Sequence, residues 1–144
     1  LVQEVRAGRL EGRGRLAFRC FPIRGHEGST EAGLAFTAAA EMGRFWEFLL
    51  YSYQHFDEFA PSRQRDWAVA IGLEGDAFVA RSADPTTREK LVASKKEGIA
   101  NGVEETPTVF INGRRWVGDL ELGELVDAVE EEMDRLGGRQ WHEP

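Results

Sequence analysis

Asn112-Gly113 is bracketed by two short apolar runs, Thr108 to Ile111 and Arg114 to Val117. Asn-Gly supplies the two left-handed residues that a type I′ turn demands, and the twist of that turn matches the twist of the strands it joins. The segment therefore commits the chain to an antiparallel hairpin. Pro107 stands just before it. A proline has no N–H to give to a ladder, so it marks the entrance of the strand rather than its middle. On general grounds the Thr106–Pro107 bond is trans, since only about 5–6% of X-Pro bonds are cis.

The remaining pattern is mostly helical. Leu1 to Arg9 reads as the end of a helix, with Leu1, Val2 and Val5 on one side, and Gly8, Gly12 and Gly14 then break it. Arg15 to Ile23 alternates as a strand does, with Leu16, Phe18 and Cys20 on one face and Pro22 ending it. Ser29 is an N-cap for an alanine-rich helix through Glu41. After Gly43, nearly half of the chain's aromatics crowd into residues 45–59, which makes this stretch a core anchor. No basic residues interleave there after Arg44, so it is not a stacking platform for bases. Pro61-Ser62 opens a short helix closed by Gly72, and Asp76 to Arg81 adds another turn or two. Asp84 caps, and Pro85 begins, a helix that runs to about Asn101-Gly102. A last helix starts near Asp119 or Leu120, with Leu122, Leu125, Val126, Val129, Met133 and Leu136 forming one apolar stripe and acids on the other face. Residues 139–144 are an aperiodic tail, in which Trp141 could dock. Helices with three strands between and after them indicate one α/β or α+β domain.

Composition removes several functions. The chain has 144 residues, one cysteine (Cys20), three separated histidines and a net charge of −7. A disulfide within the chain, a CxxC pair and a cysteine-rich zinc site are excluded, and the histidines show no metal-ligand spacing. The negative charge argues against sequence-independent binding of nucleic acid. No apolar run approaches the roughly 20 residues of a membrane span. P-loop, Gly-x-Gly-x-x-Gly and His-Glu-x-x-His motifs are missing. The arginines at positions 6, 9, 13, 15, 19 and 24 and the acids between 121 and 134 are either two solvated faces or ends that meet each other or an acidic partner.

The segment Gly102-Val-Glu-Glu-Thr-Pro-Thr-Val-Phe-Ile-Asn-Gly113 resembles the "Val-x-x-Thr-Pro-Thr, strand, Asn-Gly" signature of DsbA-like proteins in the thioredoxin superfamily. Phe18-Arg19-Cys20-Phe21-Pro22 resembles that family's second strand, and the alanine-rich helix leading to Gly43-Arg44-Phe45-Trp46 resembles the start of its helical insertion. The blocks stand in family order and span most of the chain. The resemblance implies an α/β thioredoxin-like fold for residues 1–138, with a helical insertion over about 29–101. It implies that Pro107 is cis and that Thr106 offers its backbone to an extended substrate, a strand-addition mode of recognition. Glu105 departs from the family, which often has Gly there; a carboxylate at that place disfavours a neighbouring thiolate and argues against a strongly oxidising dithiol.

On this mapping the family's first strand and its Cys-x-x-Cys would precede Leu1. Thiol–disulfide exchange needs an attacking thiolate and a resolving thiol, so the chain by itself is expected to be redox-inactive, with no catalytic residue and no cofactor. Cys20 is read as a small buried apolar residue, with a reactive thiol beside Arg19 as the alternative. The missing central strand leaves two unpaired edges. The favoured explanation is further sequence upstream; a strand from a second copy or a partner, or direct pairing of the remaining strands, are the others. Three functions fit: a DsbA-like oxidoreductase whose dithiol lies upstream, a non-redox peptide-binding module, and a glutathione-using relative. The expected partner is an extended peptide or a thiol protein; the compartment is open. Upstream cysteines separate the first two, and glutathione affinity tests the third.

Overall fold

A computed structural model of the chain describes residues 1–137; the expected tail lies outside them. In order the elements are α1 (Val2–Ala7), α2 (Ser29–Glu41), α3 (Phe45–Gln54), α4 (Gln64–Ala70), α5 (Gly75–Ala83), α6 (Pro85–Ala100), β1 (Phe110–Ile111), β2 (Arg114–Arg115) and α7 (Leu122–Arg135). Short 3-10 turns at Phe56–Glu58 and Pro61–Arg63 link α3 to α4. The chain forms two compact units, one of Leu1–Phe18 with the described part of Glu105–Pro144, the other of Arg19–Glu104.

The second unit is entirely helical. Ala35, Ala38 and Ala39 on α2 are fully buried, and their small side chains let α3 and α5 close over them. Phe48 fills the centre, with its ring 5.3 Å from Phe78 and 5.4 Å from Phe36. Trp67 and Ala68 of α4 complete this cluster. Gly33 faces α6 closely: a Cβ there would lie 2.9 Å from Leu91 Cδ1, so a larger residue would force the Leu91 side chain to shift. At the other end of α2, Glu41 accepts a hydrogen bond from the buried Thr87 hydroxyl at 2.5 Å and a second from Lys90. These bonds hold its carboxyl below the usual carboxylate range, Lys90 contributing most. Asp84 caps α6 by accepting from the Thr86 N–H at 2.8 Å, with Pro85 at the first helical position, as its sequence predicts. Glu74, which the pattern does not single out, caps α5.

The first unit holds α1, the hairpin and α7. Arg9 donates to Asp127 at 2.7 Å and to Glu130 at 2.5 Å, and Arg13 lies 3.6 Å from Glu130. The basic start and the acidic end thus meet in part. Leu10, next to the arginine, is buried, as are Leu125 and Val126 of α7. The hairpin turns through Asn112 (φ +48°) and Gly113 (φ +80°), both left-handed, as a type I′ turn requires. The Asn112 side chain donates to Glu132 at 3.4 Å, and Arg135 binds the same carboxylate.

Two expectations change. Residues 15–23 form no ladder, and among the described residues the sheet has only two strands, paired as Phe110 with Arg115 and Ile111 with Arg114. Alternation shows which side chains could share a face, but a strand exists only where a neighbour takes its hydrogen bonds. The second concerns helix starts. Gly28, not Ser29, occupies the N-cap of α2, while the Ser29 hydroxyl accepts from the Ile23 N–H at 2.9 Å. Likewise α7 begins at Leu122, two or three residues later than its stripe suggests.

Because Phe48 is 2% exposed at the centre of the helical core, Phe48→Ala should lower unfolding free energy by about 3–5 kcal/mol. Phe56→Ala, at a position 68% exposed, should stay within about 0.5 kcal/mol of the parent. Denaturant titration of both variants checks this; equal losses would contradict the assigned core.

Candidate functional site

Thr106 and Pro107 are exposed, and the peptide bond between them is cis, as the family resemblance implies and against the general expectation. The Thr108 hydroxyl donates to the Glu105 carbonyl at 2.6 Å and ties the two sides of this turn together. Among the described residues neither the N–H nor the C=O of Thr106 has a hydrogen-bond partner. Thr106 itself is an exposed residue of the bend that precedes the hairpin.

The hairpin register extends this picture. The Trp116 N–H donates to the Val109 carbonyl at 2.8 Å, so Val109 directs its main-chain groups toward β2. Successive residues of a strand alternate in direction, which turns the N–H and C=O of Thr108 and Phe110 to the opposite edge. That edge carries no strand among the described residues. An edge of this kind can pair with an extended chain. Phe110, on this strand, is 40% exposed. Trp116 is half-buried and fixed by its Nε1–H, which donates to the Asp119 carbonyl at 3.1 Å. The pairing residues Thr108 and Phe110 were not singled out in the sequence, although the Asn-Gly turn sets the register from which their direction follows.

Cys20 belongs to the helical unit, half-buried, with its carbonyl accepting from the Ser94 hydroxyl at 2.8 Å. Burial pushes its thiol up to about 11, and a hydrogen bond with Thr37 offsets only part of that rise. Arg19, the expected source of acidity, lies 3.7 Å from Glu97 instead. No group of three or more His, Cys, Asp or Glu among the described residues could hold a metal ion. No helix among them is long and apolar enough to cross a membrane.

A sequence model of the family described as Thioredoxin matches residues 3–131. Similar proteins include Na(+)/H(+) antiporter NhaA 1 of Mycolicibacterium gilvum, 31% identical over 116 residues that make up 78% of this chain and 19% of the antiporter. Na(+)/H(+) antiporter NhaA 3 of Salinispora tropica is 32% identical over 80% of this chain and 18% of its own length. Na(+)/H(+) antiporter NhaA of Nitrosospira multiformis is 28% identical over 89% of this chain and 20% of its own. The chain thus spans about a fifth of the length of the curated relatives it matches. No solved structure gives a significant match.

With its thiol near 11, Cys20 is about one part in a thousand thiolate at pH 8, against roughly a quarter for an unperturbed cysteine. Iodoacetamide should therefore alkylate it roughly 100-fold more slowly than free cysteine, with the rate rising tenfold per pH unit up to about 11. A rate within tenfold of free cysteine at pH 8 would contradict the burial of this thiol.

Proposed function

This chain belongs to the thioredoxin family, and from that premise we propose that it is a DsbA-like domain that binds an extended peptide at Thr106 and performs no dithiol chemistry of its own. The observation that carries the reading is the backbone of Thr106, which has no partner among the described residues and lies on an exposed turn before the hairpin. A peptide lying across it gains main-chain hydrogen bonds without displacing any bond within the described chain. Pro107 shapes this turn and offers no N–H that would compete for the peptide. The Thr108–Phe110 edge extends the same side of the hairpin and suits a further strand, from sequence outside these 144 residues or from another chain.

Disulfide exchange passes through a mixed disulfide that a second thiol must resolve. One half-buried cysteine with a raised pKa supplies neither the attacking thiolate nor the second thiol. An oxidoreductase reading therefore needs two cysteines from outside these residues, and a Cys-x-x-Cys preceding Leu1 in the natural protein would make the Thr106 turn the peptide-holding part of a redox site. The same reading attaches the domain to a Na(+)/H(+) antiporter: the relatives carry that name, and a stretch like this one makes up about a fifth of each.

Two measurements on the 144-residue chain test the proposal. In an insulin turbidity assay with dithiothreitol, it should add nothing to the rate of dithiothreitol alone. In an NMR titration with an unstructured, cysteine-free peptide, the Thr106 amide should shift more than the amides of α2–α6. Catalysed insulin reduction, or shifts confined to the helical unit, would overturn it.

A further inference from the structure

Resting on the peptide-binding reading of Thr106, we infer that Glu105 makes this turn selective for cationic peptides, those with Lys or Arg beside the residue that pairs. Glu105 immediately precedes Thr106 and is exposed. Its side chain has no cationic partner among the described residues, unlike Asp127, Glu130 and Glu132, which arginines engage. Its backbone is not loose: the bond from the Thr108 hydroxyl to its carbonyl fixes the point from which the carboxylate projects. A chain paired with Thr106 must therefore run beside an unneutralised negative charge at a set position.

The hairpin's own cations are placed further along the ladder. Arg115 pairs across the ladder with Phe110, and Arg114 with Ile111, five and six residues beyond Glu105. Glu104, the preceding residue, has the same sign as Glu105. An incoming Lys or Arg satisfies the carboxylate, whereas an incoming Asp or Glu meets repulsion. The contact is solvent-exposed, and exposed ion pairs are weak, so the discrimination is modest: about two- to fivefold in affinity. It is screened as salt rises, since the Debye length falls to about 3 Å at 1 M.

The test uses two extended, cysteine-free peptides, identical except that one carries lysines and the other glutamates at the same alternate positions, which removes any dependence on register. Dissociation constants are read from the Thr106 amide shift at low ionic strength for the parent chain, Glu105→Gln, Glu105→Lys and Glu131→Gln. Glu131 is exposed and acidic but lies on α7, so its variant changes the net charge equally and leaves the turn intact. The parent should prefer the lysine peptide. Glu105→Gln should cut that preference two- to fivefold, Glu105→Lys should cut it further, and Glu131→Gln should leave it in place. Equal affinities in the parent, or equal changes in the two glutamine variants, overturn the role of Glu105 while peptide binding stands. If neither peptide moves the Thr106 resonance, the binding reading fails and this inference falls with it.

Discussion

A hairpin with two ladder pairs satisfies only one side of its strands. The bond from Trp116 N–H to the Val109 carbonyl fixes which side that is, and strand alternation then sends the N–H and C=O of Thr108 and Phe110 to the other. Main-chain groups cannot be left dry without cost, so this edge must face water or accept another chain. Thr106 precedes that edge in the chain, and among the described residues its own main-chain groups have no partner. The candidate site is thus a consequence of incomplete pairing rather than of reactive side chains. It needs nothing from the chain's single thiol.

The surrounding structure has the form this edge requires. The helical unit holds itself together through the alanine face of α2 and the rings of Phe48, Phe78 and Trp67. In the other unit α1 has six residues, too few to persist as an isolated helix. Leu10 is buried just beyond its end, and Arg9 reaches Asp127 and Glu130 of α7. Those ion pairs are exposed, so apolar burial at Leu10 holds this corner more firmly than the charges do.

Local chemistry was legible where one residue's own geometry decides the outcome. Asn112-Gly113 demands left-handed backbone and forms the expected turn, and Asp84-Pro85 starts α6 where capping places it. The thioredoxin assignment was legible from the order of three blocks and agrees with the family match over residues 3–131. Reading failed where the outcome depends on a distant partner. Alternation over residues 15–23 looks like a strand, yet among the described residues no strand pairs with it. The arginines near the start look alike in sequence, which leaves open whether they meet the acidic end; Arg9 and Arg13 do meet acids on α7, while Arg19 meets Glu97. The outward turn of Thr108 and Phe110 follows from a register that only the folded ladder fixes.

The central claim is that the edge running from Thr106 through Phe110 is unpaired, and amide hydrogen exchange of the 144-residue chain measures this directly. Trp116, whose N–H is bonded to Val109, should exchange slowly, and Thr106, Thr108 and Phe110 should exchange near the rate of an open chain. Protection of Thr108 and Phe110 equal to that of Trp116 would show that the edge is already occupied and would contradict the account.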